Sequence, residues 1–443
     1  MPDRQTIAVI GLGYVGLCVA TALTDAGFDI IGVDTDPNLV ADLGAGIVRS
    51  QEPGVAGAAQ RALEEGRLRA TTDYAAVAEA PVVLIAVGTP ITDELTLAEH
   101  QLRGACTELA RHLRKGQLVI CKSTVPPGTT RGLVLPLLEA GGLAGGRDFL
   151  LAFCPERLAE GTALTDLRTL PIVVGGLDER STTEAMAFWQ KALNVQVIPQ
   201  DSLESAEIVK LADNWWIDLN IALANELAQF CSLFEVDVLD VISAANSITK
   251  GKGSVNILLP SVGVGGSCLT KDPWMVWQTA ASRGLEIHTP EVGRRANAGM
   301  PAYTARLILD DLRERGKDPA DSTVAILGVA FKNNTGDLRA TPVRDVVAEL
   351  AAAGVAVRSH DPLVDPDQAE RLVGTRPTES LEDAVRDADC VAVLALHERF
   401  RDIDFGALPV AASCLLLDGR AYYPKEKIAM LRELGYRYRG IGR

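Results

Sequence analysis

The hydrophobic pattern of this 443-residue chain changes character twice. It opens on a β-branched run, Thr6-Ile7-Ala8-Val9-Ile10, that turns directly into glycines. A second run, Ile30-Ile31-Gly32-Val33-Asp34, follows after a helical stretch of about 17 residues. Further apolar runs stand at 82–87, 118–121, 150–153 and 172–174, with Ala- and Leu-rich stretches between them. Short apolar strands alternating with helices predict a parallel sheet with crossover connections. From Ser202 to Phe234 there is neither Gly nor Pro, and Ile208, Leu211, Trp215, Leu219 and Leu223 recur at helical steps. This predicts one helix of about eight or nine turns, and more helix is expected around 236–245 and 274–283. At Thr323 the strand–helix alternation restarts, with strands expected at 355–360, 390–395 and 414–417. The expected fold is α/β: two Rossmann-like parallel-sheet domains joined by a long central helix and helical segment. The corresponding domains are 1–200, 201–315 and 316–443, the middle one either a spacer or a dimer interface.

Composition narrows the function classes. Hydrophobic residues make up 47% and charged residues 23%, the mix of a globular protein rather than a disordered one. The formal charge of −15 lacks the basic footprint of a nucleic-acid binder. No apolar run reaches the length of a transmembrane helix, and the N-terminus lacks a signal-peptide pattern, so no membrane partner is expected. The eight cysteines are scattered without a CxxC pair, which fits reduced thiols in a cytoplasmic protein and no metal site.

Several turns carry candidate chemistry. Gly11-Leu12-Gly13-Tyr14-Val15-Gly16 fits GxGxxG between a strand and a helix, with Asp34 ending the next strand 23 residues beyond Gly11. In that pattern the glycines admit a pyrophosphate to the helix N-terminus, and the acid binds the adenosine ribose. Asp34 would repel a 2′-phosphate, so the expected cofactor is NAD rather than NADP. The turns at Val87-Gly88-Thr89-Pro90 and Ser123-Thr124-Val125-Pro126-Pro127-Gly128 end strand-like runs, where ligands bind in such sheets, although Pro-Pro-Gly alone reads as an ordinary turn.

Cys268 lies in Gly263-Val-Gly265-Gly266-Ser-Cys268-Leu-Thr-Lys271-Asp272, ahead of a helix, whereas the other seven cysteines lie in apolar runs. Glycines allow close approach, and Lys271 with the helix N-terminus would favour a nucleophilic thiolate. Glu156 and Glu160, four residues apart, would share a face if helical and serve acid–base work; spacing alone favours a solvated or capping pair. Lys210 and Asn214 share a helix face suited to an oxyanion, against the plainer reading of a Glu207–Lys210 surface pair. Lys332, Arg339 and Arg420 follow strand ends in the C-terminal domain and suit a diphosphate, while the absence of GxGxxG there argues against a second dinucleotide.

Together these segments resemble the UDP-glucose/GDP-mannose dehydrogenase family. GLGYVG, VGTP, STVPPGT, PERLAEG, Lys-x-x-x-Asn, GVGGSCLTKD, GVAFKNNTGDLR and DGR occur in family order over essentially the whole chain. The resemblance implies NAD-dependent oxidation of a nucleotide-sugar C6 hydroxyl to the uronate, through a thiohemiacetal and then a thioester on Cys268. It implies that Lys210 and Asn214 steady the oxyanion. Asp272 and Glu156 belong to the acid–base and water network, and Thr124 orients the water. It matches Gly11, Gly13, Tyr14, Val15, Gly16, Asp34, Thr89, Thr124 and Lys271 to the cofactor. The sugar nucleotide is matched by Glu156, Arg157, Leu158, Glu160, Lys210, Asn214, Gly265, Lys332, Arg339 and Arg420. It further implies a homodimer through the central helix.

The sugar divides the motifs. Pro-Glu156-Arg157, and Met300-Pro301 after Asn297, look like the UDP-N-acetylhexosamine branch; Glu160 and Gly-Gly-Ser-Cys-Leu-Thr-Lys-Asp look like the glucose branch. On this reading UDP-glucose ranks first, a UDP-N-acetylhexosamine second, and TDP or GDP sugars behind. The competing outlines are a one-step β-hydroxyacid-type dehydrogenase without a covalent cysteine and a non-catalytic nucleotide-sugar sensor. With two anionic ligands and an acidic chain, Lys210, Lys271, Lys332, Arg339 and Arg420 are expected to concentrate positive potential locally.

Overall fold

The computed structural model describes residues 5–50, 52–251 and 253–443; the start of the N-terminal segment, residues 1–4, lies outside them. The chain divides into two compact units, Met1–Asp213 with Trp274–Leu285, and Asn214–Pro273 with Glu286–Arg443.

The first unit is built on an eight-stranded sheet. Its strands are β1 (Thr6–Ile10), β2 (Asp29–Val33), β3 (Leu68–Thr71), β4 (Val82–Ile85), β5 (Leu118–Cys121), β6 (Leu150–Phe153), β7 (Ile172–Gly176) and β8 (Val197–Gln200). The spatial order is β3-β2-β1-β4-β5-β6-β7-β8. Ile7 and Val9 pack into one hydrophobic cluster and Ala8 and Ile10 into another. Successive side chains of a strand point to opposite faces, so both faces are covered and the strands read as continuous apolar runs. Pairing is parallel as far as β6, but β7 runs antiparallel to β6, with Phe153 opposite Gly175, and β8 follows β7. This departs from the uniformly parallel expectation. An antiparallel neighbour needs no crossover helix, and the stretch after β6 is spent on a loop and the short helix Ala163–Thr169.

The second unit holds a small hairpin, β9 (Thr249–Lys250) and β10 (Gly253–Ser254), and a five-stranded parallel sheet. The sheet's strands are β11 (Thr323–Leu327), β12 (Ala356–His360), β13 (Cys390–Val393), β14 (Leu415–Asp418) and β15 (Arg437–Gly440), in the order β12-β11-β13-β14-β15. Val324 and Ile326 face one cluster and Ala325 and Leu327 the other, repeating the two-faced burial of the first sheet.

The predicted long helix spans Leu203–Ser232, 30 residues or about 45 Å, and passes from the first unit into the second at Asp213/Asn214. Its burial inverts the usual pattern. Glu207, Lys210, Asn214, Asp218 and Asn225 are buried, whereas Ile208, Trp216, Leu223 and Phe230 are at least half exposed. Of the apolar stripe read from the sequence, Leu211 is buried while Ile208 and Leu223 lie at the surface. The periodicity identified the helix, but not which face turns inward.

Candidate active site

The strand–turn–helix at the start of the chain forms a cradle with a defined use for each glycine. Gly11 has φ +89°, and a Cβ there would lie 2.8 Å from Ala86 O. A Cβ on Gly16 would lie 1.8 Å from Gly11 O, so that glycine lets helix Tyr14–Asp25 close on the turn. A Cβ on Gly13 meets no protein atom within 4 Å. That side of the turn is therefore open, as the pyrophosphate role of the second glycine requires. Asp34 Oδ2 accepts Leu12 N–H at 2.7 Å and Oδ1 accepts Asp36 N–H at 3.0 Å, fixing the carboxylate beside a cavity of about 860 Å³ that Gly11, Gly13, Thr35, Val87 and Gly88 also line. The residues present fit NAD: an open glycine at a helix N-terminus and an oriented acid for the ribose. Thr89 is buried and Thr124 half-buried, and Ser123 Oγ donates to Val87 O at 2.7 Å, tying their two loops together.

A second layer of the first unit braces this cradle. Tyr14 Oη donates to Glu52 Oε2 at 2.6 Å, and burial with that contact pushes the phenol well up. Glu52 also accepts Gly161 N–H and Ala163 N–H, each at 2.7 Å, joining the first glycine turn to the Pro155–Gly161 loop. That loop is not helical, so Glu156 and Glu160 do not share a helix face as their spacing suggested. Glu156 is buried instead, with Oε1 accepting Leu158 N–H. Arg157 Nε donates to Asp213 Oδ2 at 2.8 Å. The buried Lys122 donates to Cys154 O at 3.2 Å and lies 4.9 Å over the Trp189 ring, and desolvation lowers its pKa.

Glu207 does not form the surface pair with Lys210. It is buried, with Oε2 accepting Gly128 N–H at 2.5 Å and Oε1 accepting Thr130 N–H at 2.8 Å. The Ser123–Gly128 turn is therefore anchored to the long helix, and Lys210 is buried one turn beyond the anchor.

In the second unit the Cys268 turn is built on close approaches. A Cβ on Gly265 would lie 2.5 Å from Phe331 Cβ and 2.7 Å from Ala340 O, and Gly266 N–H donates to Arg339 O at 3.0 Å. Glycine at these positions docks the turn on the 331–340 segment, which carries Lys332 and Arg339. Cys268 O accepts Asp272 N–H at 2.9 Å, leading into helix Asp272–Ser282. Cys268 is exposed, whereas the other seven cysteines are buried, and burial pushes Cys18, Cys106, Cys154 and Cys414 up to about 12. Asp272 is fully buried; Lys271 Nζ donates to its Oδ1 at 2.6 Å and Asn214 Nδ2 to its Oδ2 at 2.5 Å. Lys271, read from the sequence as a neighbour that would favour a Cys268 thiolate, bonds the Asp272 carboxylate. Arg339 Nε bonds both oxygens of Asp337, at 2.8 and 3.0 Å, and Arg420 Nη2 donates to Phe331 O at 2.5 Å. The expected concentration of positive charge is therefore partly neutralised by the chain's own carboxylates.

Three family profiles match this chain in order. They are described as the NAD binding domain, the central domain and the UDP binding domain of the UDP-glucose/GDP-mannose dehydrogenase family, over residues 5–193, 204–298 and 325–425. The chain belongs to the UDP-glucose/GDP-mannose dehydrogenase family. It is similar to the UDP-N-acetyl-D-mannosamine dehydrogenase of Pyrococcus horikoshii, 31% identical over 99% of both chains. A solved structure of the UDP-D-ManNAc dehydrogenase from that organism superposes with a TM-score of 0.88 at 30% identity, covering 99% of each chain. It is also similar to the UDP-glucose 6-dehydrogenase of Haloferax volcanii, 32% identical over 94% of this chain and 96% of that one. As a member of this family the chain is an NAD-dependent nucleotide-sugar dehydrogenase, with an NAD-binding N-terminal region and a UDP-binding C-terminal region.

Within this family fold, sequence reasoning missed Glu52, Lys122 and Glu207 as supports of the candidate site. It also missed the buried chain Arg294–Asp218–Asn297–Asn225–Ser261 behind the Cys268 turn. Each acts through contacts across roughly 30 to 110 positions, and no local spacing signals them. A charged residue inside an apolar run, such as Lys122 after Val119-Ile120-Cys121, is the one signal available.

Proposed function

We propose that this chain oxidises the C6 hydroxyl of a UDP-N-acetylhexosamine, UDP-N-acetyl-D-mannosamine first, to the uronate in two steps with Cys268 as covalent carrier. The observation that carries the chemistry is the exposed Cys268 thiol on a glycine-built turn, whose carbonyl accepts the backbone N–H of a buried Asp272 held by Asn214 and Lys271. NAD⁺, when bound by the glycine turn and Asp34, supplies the hydride acceptor for each oxidation. Cys268 Sγ adds to the C6 carbonyl carbon left by the first oxidation, and a proton completes the thiohemiacetal hydroxyl. The second oxidation leaves C6 as a thioester on Sγ. Water then adds at C6, the C–S bond breaks, and the carboxylate leaves while the thiol is restored. A covalent carrier suits the task because a free aldehyde would be lost between the two oxidations.

Lys210 and Asn214, one turn apart on the long helix, donate to the C6 oxygen as charge develops on it. Asp272 and Glu156 hold and move the protons of water and hydroxyl, with Thr124 orienting that water. Arg157, Leu158, Glu160 and Gly265 shape the sugar site, and Lys332, Arg339 and Arg420 receive the diphosphate. Tyr14 serves the cofactor cradle through the brace to Glu52, while Val15 and Thr89 line the cofactor's path and Lys271 orders Asp272. The mannosamine assignment rests on the Pyrococcus horikoshii relative, supported by Pro-Glu156-Arg157 and Met300-Pro301. This reverses the order read from the motifs alone. UDP-glucose is the second reading, favoured by the Haloferax volcanii relative and by Gly-Gly-Ser-Cys-Leu-Thr-Lys-Asp.

The chain works as a homodimer through the long helix, whose exposed line of Ile208, Trp216, Leu223 and Phe230 supports that reading. It works in the cytoplasm: among the described residues no disulfide joins the eight cysteines, and no helix is long and apolar enough to cross a membrane. The substrate assignment is tested by comparing kcat/KM for UDP-N-acetylmannosamine, UDP-N-acetylglucosamine and UDP-glucose on one enzyme sample. The mannosamine sugar is expected to exceed the others by at least about tenfold, and a preference for UDP-glucose would establish the second reading.

A further inference from the structure

The second unit repeats the first unit's opening turn, and the copies differ in what meets the second oxygen of the aspartate. In the first, Gly11 N–H donates to Val33 O, Leu12 N–H to Asp34 Oδ2 and Asp36 N–H to Asp34 Oδ1, at 2.8, 2.7 and 3.0 Å. In the second, Gly328 N–H donates to His360 O, Val329 N–H to Asp361 Oδ2 and Leu363 N–H to Asp361 Oδ1, at 3.0, 2.8 and 3.0 Å. Both glycines have positive φ, +89° and +80°. The carboxylate of Asp34 borders a large cavity. That of Asp361 is 5% exposed, and its Oδ2 is met by His397 Nε2 at 3.0 Å.

His397 is itself buried, and its Nδ1 receives Asn334 N–H at 2.9 Å. A backbone N–H can only donate, so Nδ1 carries no proton; the ring proton is on Nε2 and is given to Asp361. Burial alone would raise the Asp361 carboxyl, but hydrogen bonds from His397 and the backbone amides hold it below its ordinary range. Asp361 also receives Ala330 N–H at 3.3 Å. One imidazole therefore joins the clamp on Val329 and Ala330 to Asn334, and so brackets Phe331 and Lys332. Two more bonds sew the same stretch down: Leu396 N–H to Asn333 Oδ1 at 2.9 Å and Glu398 N–H to Asn334 Oδ1 at 2.7 Å.

We propose that His397 is a positioning residue for the nucleotide sugar: by bridging Asp361 and Asn334 it holds the turn that presents Lys332 to the diphosphate. It also takes up, on Asp361, the acceptor that a ribose hydroxyl would use in a dinucleotide-binding copy of this turn. The inference rests on the assignment of Lys332 to the nucleotide sugar made above.

The test is calorimetric titration of the full chain with UDP and, separately, with NAD⁺, for His397→Ala, His397→Asn, His397→Gln and Lys332→Ala. Losing both bridging bonds in His397→Ala is expected to weaken UDP binding about tenfold or more, with NAD⁺ affinity held within about twofold. Asn keeps an acceptor near Nδ1 and Gln a donor near Nε2, so each is expected to recover part of the loss. Unchanged UDP affinity in His397→Ala, with Lys332→Ala weakened, overturns the inference and leaves the nucleotide site standing. A loss that neither Asn nor Gln relieves also overturns it, because it marks a general packing defect. Unchanged UDP affinity in Lys332→Ala overturns the site assignment itself.

Discussion

Asn214 and Asp272, 58 positions apart in the chain, meet at 2.5 Å between Nδ2 and Oδ2, and Lys271 occupies the other carboxylate oxygen. Asp272 is thereby a fully buried carboxylate with both oxygens assigned. It opens the helix that follows the Cys268 turn. Replacing it with Asn keeps the shape but removes the charge that pairs with Lys271 and a proton acceptor near the reaction. Asp272→Asn is expected to lower kcat by about 10²- to 10⁴-fold, the usual weight of a positioned acid or base. The NAD⁺ affinity of the same variant, measured by fluorescence titration, should stay near the parent's. A kcat within twofold of the parent would take Asp272 out of the chemistry.

Cys268→Ser removes the sulfur nucleophile and leaves the turn's backbone bonds in place. Steady turnover is expected to be lost, and mass spectrometry should find no sugar adduct on the variant. Undiminished two-step oxidation by the serine protein would exclude Cys268 as carrier.

Gly13 and Gly16 separate ligand binding from folding. A methyl at position 13 enters empty space, whereas one at position 16 would press within 1.8 Å of Gly11 O. Gly13→Ala should therefore fold normally while weakening NAD⁺ binding. Gly16→Ala should lower the melting temperature, by an overpacking cost of about 1–3 kcal/mol. The reverse pattern in thermal melts and titrations would contradict the cradle described above.

These contrasts also mark what the sequence could reveal. The strands, the long helix and the glycine turns were legible because continuous apolar runs, helical spacing and φ-positive turns are local properties. Cys268 could be singled out from its setting, whereas Lys210, Asn214 and Asp272 took their roles from the family resemblance. The antiparallel β7, the anchoring of the Ser123–Gly128 turn by Glu207, and the Glu52 brace were not legible, because each depends on contacts made only after the sheet has formed. Lys271 shows a different limit: it bonds its neighbour in sequence, Asp272, a pairing that spacing alone did not single out.

Asp361 supplies a pH dependence. Its folded pKa lies below the unfolded value, so its contribution to stability is present above the ordinary carboxylate range and is lost as pH falls through the folded value. Between about pH 5 and pH 3 the parent should lose stability relative to Asp361→Asn. Denaturant unfolding at the two pH values checks this, and parallel losses in both proteins would contradict it.

The exposed apolar line of the long helix gives a prediction about assembly. Trp216 and Leu223, both at least half exposed, lie seven residues apart on one face of the helix. Placing Asp at both positions should convert a sedimenting dimer to a monomer without loss of helix content. A parent chain that sediments as a monomer would remove the long helix as the proposed interface.

With Cys268 as the proposed carrier, one active site carries out both oxidations of a UDP-N-acetylhexosamine without releasing the aldehyde. The most direct test of this is the ratio of NADH formed to UDP-N-acetylmannosamine consumed, measured on the same reaction by absorbance and chromatography. Two NADH per sugar are expected, with UDP-N-acetylmannosaminuronate as product and no aldehyde trapped by added hydroxylamine. One NADH per sugar, with a free carbonyl product, would contradict it.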